Sequence, residues 1–186
     1  MLLDIRSQKD NDLFTLNGAF KNPVVGLTSG CFDLFHHLHL AYLQKCRRLC
    51  DVLICGVDSD DFVRKTKGQG RPVIPEHQRV MIVNALECVD ITFIMGSLKD
   101  WEIACGKFHP QYLFKNTKFK SDEVINPYKA EVVIVPDVLQ FDSTSQIIAE
   151  ISRNNTRKIS SGYLPICSKQ FGPIEECPVC RPILKK

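Results

Sequence analysis

Val24-Val25-Gly26-Leu27-Thr28-Ser29-Gly30-Cys31-Phe32-Asp33-Leu34-Phe35-His36-His37-Leu38-His39 is the stretch on which the fold turns. Val24 to Thr28 reads as a buried strand, and Ser29-Gly30 breaks it. From His37 to Cys50 the apolar positions Leu38, Ala41, Cys46 and Leu49, with Leu40 and Leu43, recur at helical spacing. The next run, Val52-Leu53-Ile54-Cys55-Gly56-Val57, is almost continuously apolar, as a parallel strand covered on both faces must be. Strand, helix and strand in that order make a β-α-β unit.

Working outward, Asp58 to Gly70 is a polar stretch read as a loop, and it carries Lys65 and Lys67. Glu76 to Leu86 is predicted as a helix entered after Pro75, and Ile91 to Ile94 as a third strand. Trp101 to Lys107 reads as a short helix, Tyr112 to Phe114 as a fourth strand and Val132 to Val135 as a fifth. Ser143 to Ile151 is the last predicted helix. Strands and helices alternate with short connections. The expectation is therefore an α/β fold, a doubly wound, Rossmann-like parallel five-stranded sheet with helices on both faces. In such folds ligands bind beyond the carboxyl ends of the strands, near the switch point. Residues 1–22 are polar and weakly patterned, a leading arm with one short element. The expected division is 1–22 as arm, 23–154 as body and 155–186 as a Cys-containing C-terminal extension, with no internal repeat.

Composition narrows the function classes. The chain has 186 residues, 44% apolar and 24% charged, with a formal charge of +3. That length suits one compact domain, and 24 basic against 21 acidic residues argue against a disordered chain. A charge of +3 is too small to point to nucleic acid as the main partner. No run of ~18 uncharged apolar residues is present to span a membrane. The opening Met-Leu-Leu-Asp-Ile-Arg lacks the basic-then-apolar order of a signal peptide, so a cytoplasmic location is expected. Nine cysteines fall into two groups. Cys31, Cys46, Cys50, Cys55, Cys88 and Cys105 sit mostly within apolar patterns, where a reduced thiol acts as a small hydrophobe. Cys167, Cys177 and Cys180 lie in a tail whose six basic and two acidic residues give it +4, leaving −1 for the rest.

The turn from the first strand into the first helix is where chemistry is expected. Such a place offers free backbone N–H groups and the positive end of a helix dipole, a seat for phosphate. His36 and His39 stand about one helical turn apart and face one ligand, so both can donate to phosphate oxygens as charge develops. Gly30 permits close approach of the backbone. The bland alternative is a pair of helix-start histidines making local bonds.

On these residues the chain resembles the cytidylyltransferase-like nucleotidyltransferases, whose signature is Gly-x-Phe-Asp followed by His-x-Gly-His. The corresponding residues are Gly30-Cys31-Phe32-Asp33 and His36-His37-Leu38-His39. Arg71-Pro72-Val73-Ile74-Pro75, followed by Arg79 and Val89-Asp90, is similar to a stretch in bacterial glycerol-3-phosphate cytidylyltransferases and in the adenylyltransferase domain of ADP-heptose synthase. Phe141-Asp142-Ser143-Thr144-Ser145-Gln146-Ile147-Ile148 resembles their Ser-Thr-Thr-x-Ile signature at a helix start. The resemblance runs in order from about Val24 to Ile151.

The resemblance implies transfer of a nucleotidyl group from ATP or CTP to the phosphate of a sugar phosphate or polyol phosphate. Pyrophosphate leaves, and Mg²⁺ accompanies the NTP. It assigns His36 and His39 to the triphosphate and its transition state, and Thr28, Gly30, Cys31 and Phe32 to the nucleotide side. Asp33 holds the loop by hydrogen bonds. Lys65 or Lys67 neutralises phosphate charge, and Lys115 joins the nucleotide site. Ser143 and Thr144 cap their helix and reach the phosphates. Arg79 serves the acceptor or the β/γ phosphates, or else forms a surface ion pair. A homodimer is implied too.

Two departures from the pattern stand out. Leu38 replaces the glycine between the histidines, and Lys115-Asn116-Thr117-Lys118 replaces a Lys-Gly or Met-Gly step that an Asp soon follows. Asn116 is expected to supply the left-handed backbone of the missing glycine. Within the enzyme class, the second reading is adenylylation of a cofactor precursor such as a flavin or pantetheine phosphate. Outside it stands a retired enzyme that binds nucleotide or a partner. In the tail, Cys177-Pro-Val-Cys180 has metal-knuckle spacing, and with Cys167 it supplies three thiols for a Zn²⁺ site whose fourth ligand would come from the body or a second subunit.

Overall fold

The computed structural model describes residues 1–6, 22–136 and 148–153. The chain divides into two compact units, Met1–Thr144 and Ser145–Lys186, so the expected boundary at 154/155 falls inside the second. In the first unit the strands are β1 (Leu2–Leu3), β2 (Val25–Gly30), β3 (Val52–Asp58), β4 (Ile91–Met95), β5 (Tyr112–Asn116) and β6 (Glu131–Val135). The helices are α1 (His37–Arg47), α2 (Asp60–Lys67), α3 (Glu76–Asn84) and α4 (Leu98–Phe108), with a 3-10 turn at Ser121–Glu123. All the pairings are parallel, in the order β1-β4-β3-β2-β5-β6.

Among the described residues the sheet has six strands where five are expected. The extra one, β1, is two residues long, too short to show a period of its own. Its partner creates it: Leu2 lies beside Thr92 and Leu3 beside Phe93, and the Thr92 N–H donates to Met1 O at 2.7 Å. The Arg6 guanidinium then clamps Asp100 of α4 with two bonds of 2.9 and 2.8 Å.

Alternation of side chains sorts the core into two layers. Leu27, Ile54, Phe93 and Leu113 pack with Trp101, Ala104 and Phe108 of α4 on one face. Leu53, Cys55, Val57 and Phe114 pack with Leu43 and Cys46 of α1 and Val80 and Val83 of α3 on the other. The six cysteines of this unit are free thiols, five of them buried. Burial pushes the Cys46 thiol up to about 12 and Cys105 to about 11, as for thiols that pack as small hydrophobes.

The stretch read as a loop after the second predicted strand contains α2. It is specified by its ends rather than by apolar spacing. Ser59 caps it by accepting from the Phe62 N–H at 3.1 Å, and Asp60 and Asp61 fill the first turn. Arg64, Lys65 and Lys67 fill the last turn, and Gly68 at φ 95° ends it. In the second unit residues 148–153 are helical, inside and just beyond the predicted Ser143–Ile151 helix.

Candidate active site

Strand order reverses at β2, with β3 and β4 on one side and β5 and β6 on the other. Its carboxyl end is the switch point, and the loop from Cys31 to His36 leaves from there into α1. Phe32 and Leu34 in this loop have φ of 50° and 47°, a left-handed backbone that non-glycine residues rarely adopt. Two buried charged groups hold it.

The first is Asp33, whose side chain is wholly enclosed. It accepts from Arg71 Nε at 2.7 Å, from the Val73 N–H at 3.0 Å and from the Ile74 N–H at 2.9 Å. Burial alone would raise its carboxyl. The Ile74 and Val73 amides and the Arg71 guanidinium outweigh burial and hold it below the usual range. The second is Arg79, 0% exposed, donating to Ile74 O at 2.8 Å, to Cys31 O and to Asp60 Oδ1 at 2.7 Å. Both expected outward roles of Arg79, on phosphate or in a surface ion pair, give way to this one. It is an internal strut that ties α3 to the loop after β2 and to α2. Gly30 differs from expectation in a similar way. A Cβ there would stand 3.1 Å from the Phe32 ring, so the space it leaves is filled by the protein itself.

His36 is the N-cap of α1, and the two histidines form a reciprocal capping box. His39 Nδ1 accepts from the His36 N–H, and His36 Nδ1 accepts from the Leu38 N–H, both at 3.3 Å. A ring that accepts at Nδ1 carries its proton on Nε2 when neutral, so Nε2 is the donor atom of each ring in that state. The rings stack with centroids 4.0 Å apart, and Phe32 and Phe35 pack against His39 at 5.5 and 5.4 Å. Burial, then His36, then Lys67 and Lys118 depress His39 to about 3, against a weaker upward pull from Asp33. The local bonds and the stacked pair are thus one arrangement.

The structure separates the two lysines of α2. Lys67 bears electrostatically on Cys31, His39 and Asp58, whereas Lys65 bears on Asp61. Positions two apart on a helix point away from each other, which is the reason. Neither stands on a loop. Lys115 on β5 donates to Ser29 Oγ at 2.7 Å and lies 4.3 Å over the Trp101 ring, and burial lowers its ammonium. Thr28 is fully buried, bonded to Tyr42 Oη at 2.8 Å and to Phe114 O at 3.2 Å, so it braces the loop from beneath. The Cys31 thiol is buried and raised by burial. Asn116 does not take the left-handed conformation expected of it. It stays in β5, paired in register with Val135.

Ser143 and Thr144, and the tail cysteines Cys167, Cys177 and Cys180 with their Zn²⁺ reading, lie outside the described residues. Among the described residues no group of three or more His, Cys, Asp or Glu side chains is placed to hold a metal ion, and no helix is long and apolar enough to cross a membrane. Sequence reasoning missed Ser29, Asp58, Arg71 and Trp101 at this end of the sheet. Asp58 had a readable signal, a carboxylate directly after a buried run at the edge where ligands bind.

The cytidylyltransferase-like family model matches residues 27–163, which takes in the loop, both histidines and all strands from β3 onward. The chain belongs to this family. Among curated relatives, bifunctional protein HldE of Helicobacter hepaticus is 36% identical over 149 residues, covering 80% of this chain and 30% of that protein. HldE of Desulfatibacillum aliphaticivorans is 40% identical over 131 residues, covering 67% and 26%. The chain therefore spans under a third of the length of these relatives. Among solved structures, a lipopolysaccharide core biosynthesis protein of Thermoplasma volcanium superposes with a TM-score of 0.54 at 25% identity. It covers 65% of this chain and all of the other. A pantoate-beta-alanine ligase of Francisella tularensis, TM-score 0.50 at 16% identity, covers 88% of this chain and 82% of its own, and shares the fold.

Proposed function

We propose that this chain is a nucleotidyltransferase that moves the NMP group of ATP or CTP onto a sugar phosphate or polyol phosphate and releases pyrophosphate. The observation that carries the reading is the stacked His36–His39 pair at the N-terminus of α1, at the switch point of the sheet. Family membership and the HldE relatives support the same reaction class and a sugar-phosphate acceptor.

The residues suggest how the transfer proceeds. An acceptor phosphate oxygen attacks the α-phosphorus in line as the bond to the pyrophosphate oxygen breaks. No covalent bond to the protein forms. Catalysis is then positioning plus stabilisation of charge. His36 and His39 donate from Nε2 to the α-phosphate and the departing pyrophosphate, and the α1 dipole adds to their field. Lys67 neutralises phosphate charge beside them. Ser143 and Thr144 are kept from the resemblance as further phosphate contacts. Mg²⁺ enters as part of the Mg–NTP substrate. Of the nearby carboxylates, Asp33 is fully engaged and Asp58 is surrounded by cationic groups, so neither is built to hold the ion.

The test is pyrophosphate release from each of four NTPs against a panel of phosphorylated acceptors. Release that disappears in His39→Ala while NTP binding persists supports the reading. Silence across the panel with NTP still bound favours a nucleotide-binding protein without catalysis. A homodimer is part of the proposal and is supported by exposed Val73, Met81 and Ile82 on and before α3.

A further inference from the structure

We propose that Asp58 determines acceptor specificity by accepting a hydrogen bond from a hydroxyl group of a polyhydroxylated phosphate ester. The inference rests on the nucleotidyltransferase reading for the identity of the subsite, but not for the contact itself. Register places the residue. Ser29 pairs with Gly56, and Thr28 with Phe114, so Ser29, Lys115 and Gly56 point to one face of the sheet. Asp58, two residues beyond Gly56, points to that face as well. It therefore stands at the carboxyl end of β3, on the α4 side, where Lys115 reaches Ser29 over Trp101.

Asp58 Oδ1 is buried and accepts no hydrogen bond, although Lys115, Lys67 and Arg79 all bear on its carboxyl. Among the described residues none of these cations forms an ion pair with it. Arg79 is committed to Asp60, and the Lys115 ammonium is committed to Ser29. A buried acceptor left open in this way costs stability unless something else fills it. The surrounding positive charge disfavours a divalent cation there. An apolar acceptor group would leave the oxygen still unmet. A hydroxyl donor satisfies it, while the residue's own partial exposure gives a ligand a way in. Sites that bond a substrate hydroxyl reject analogues lacking it, because the protein group is then left unpaired.

The experiment uses the full chain and pairs of probes equal in charge that differ chiefly in their hydroxyl groups: glycerol 3-phosphate against propyl phosphate, and glucose 1-phosphate against cyclohexyl phosphate. Binding is measured by calorimetry in the presence of the α,β-methylene analogues of ATP and CTP. Wild type is expected to favour at least one hydroxylated probe by about tenfold or more. Asp58→Leu is expected to bring that ratio close to one, with nucleotide affinity unchanged and a higher Tm, because the unpaired carboxylate is gone. Asp58→Asn, which keeps an acceptor oxygen, is expected to retain part of the ratio. A residue that merely braced the fold would lower Tm on replacement. The inference is overturned by equal binding within both pairs in wild type, by an unchanged ratio in Asp58→Leu, or by a lower Tm in both variants. Discrimination that holds while no acceptor yields pyrophosphate sinks the enzymatic reading alone. Pyrophosphate release with no discrimination sinks this inference alone.

Discussion

Asp33 accepts from the Arg71 guanidinium and from the Val73 and Ile74 amides, all in the segment 71–74. Asp33→Ala strands a part-buried guanidinium and two amides, and is expected to cost about 3 kcal/mol in urea denaturation. Two other titrating groups act on stability in opposite senses. His39 falls from 6.5 to about 3 on folding, so the folded state binds fewer protons than the unfolded chain in that window. Its contribution is lost as pH drops below 6.5. Asp58 rises from 3.8 to about 6, chiefly through burial, so its contribution is lost as pH rises through the same region. Relative to wild type, His39→Gln should be stabilised at pH 5 compared with pH 7, and Asp58→Asn should be stabilised at pH 7 compared with pH 5. Each difference is on the order of 1–2 kcal/mol, read from denaturation curves at the two values. A bound triphosphate supplies the negative charge His39 lacks. NTP binding at pH 6–7 is therefore expected to take up a proton, measurable as a calorimetric enthalpy that depends on the buffer.

At the scale of the element, α1 and α2 deliver their groups by helical geometry. The capping box fixes His36 and His39 together at the start of α1, where the proposed reaction needs both. On α2 the same geometry sends Lys67 toward His39 and Asp58, and sends Lys65 toward Asp61. Lys67→Gln is expected to weaken NTP binding about tenfold and Lys65→Gln to leave it within about twofold, as read by equilibrium titration. Equal effects would refute this division. Helix α2 was missed in the sequence because little of it is buried. Val63 is its one fully buried side chain, so capping and charge order specify it where apolar period cannot.

At the scale of the molecule, the arm and the body are continuous through Ile5, 5% exposed within the α4-side core, and through the Arg6–Asp100 clamp. Ile5→Ala is expected to cost about 2–4 kcal/mol by denaturation, more than an arm lying free of the core would allow. The alternating apolar runs, Gly30-Cys31-Phe32-Asp33 and His36 with His39 were enough by themselves to determine the parallel α/β fold and to single out one end of the sheet for the candidate site. Such signals are local: burial on both faces leaves a continuous apolar run, and a strand-to-helix turn leaves glycine and cap residues. Only the tertiary structure decided that Arg79 is an inner strut, that Lys67 and not Lys65 bears on His39, that Leu2–Leu3 is a sheet edge, and that Asp58 stands open beside Lys115. Each of these depends on a partner 9 to 91 residues away or on which way a side chain turns, and sequence spacing encodes neither.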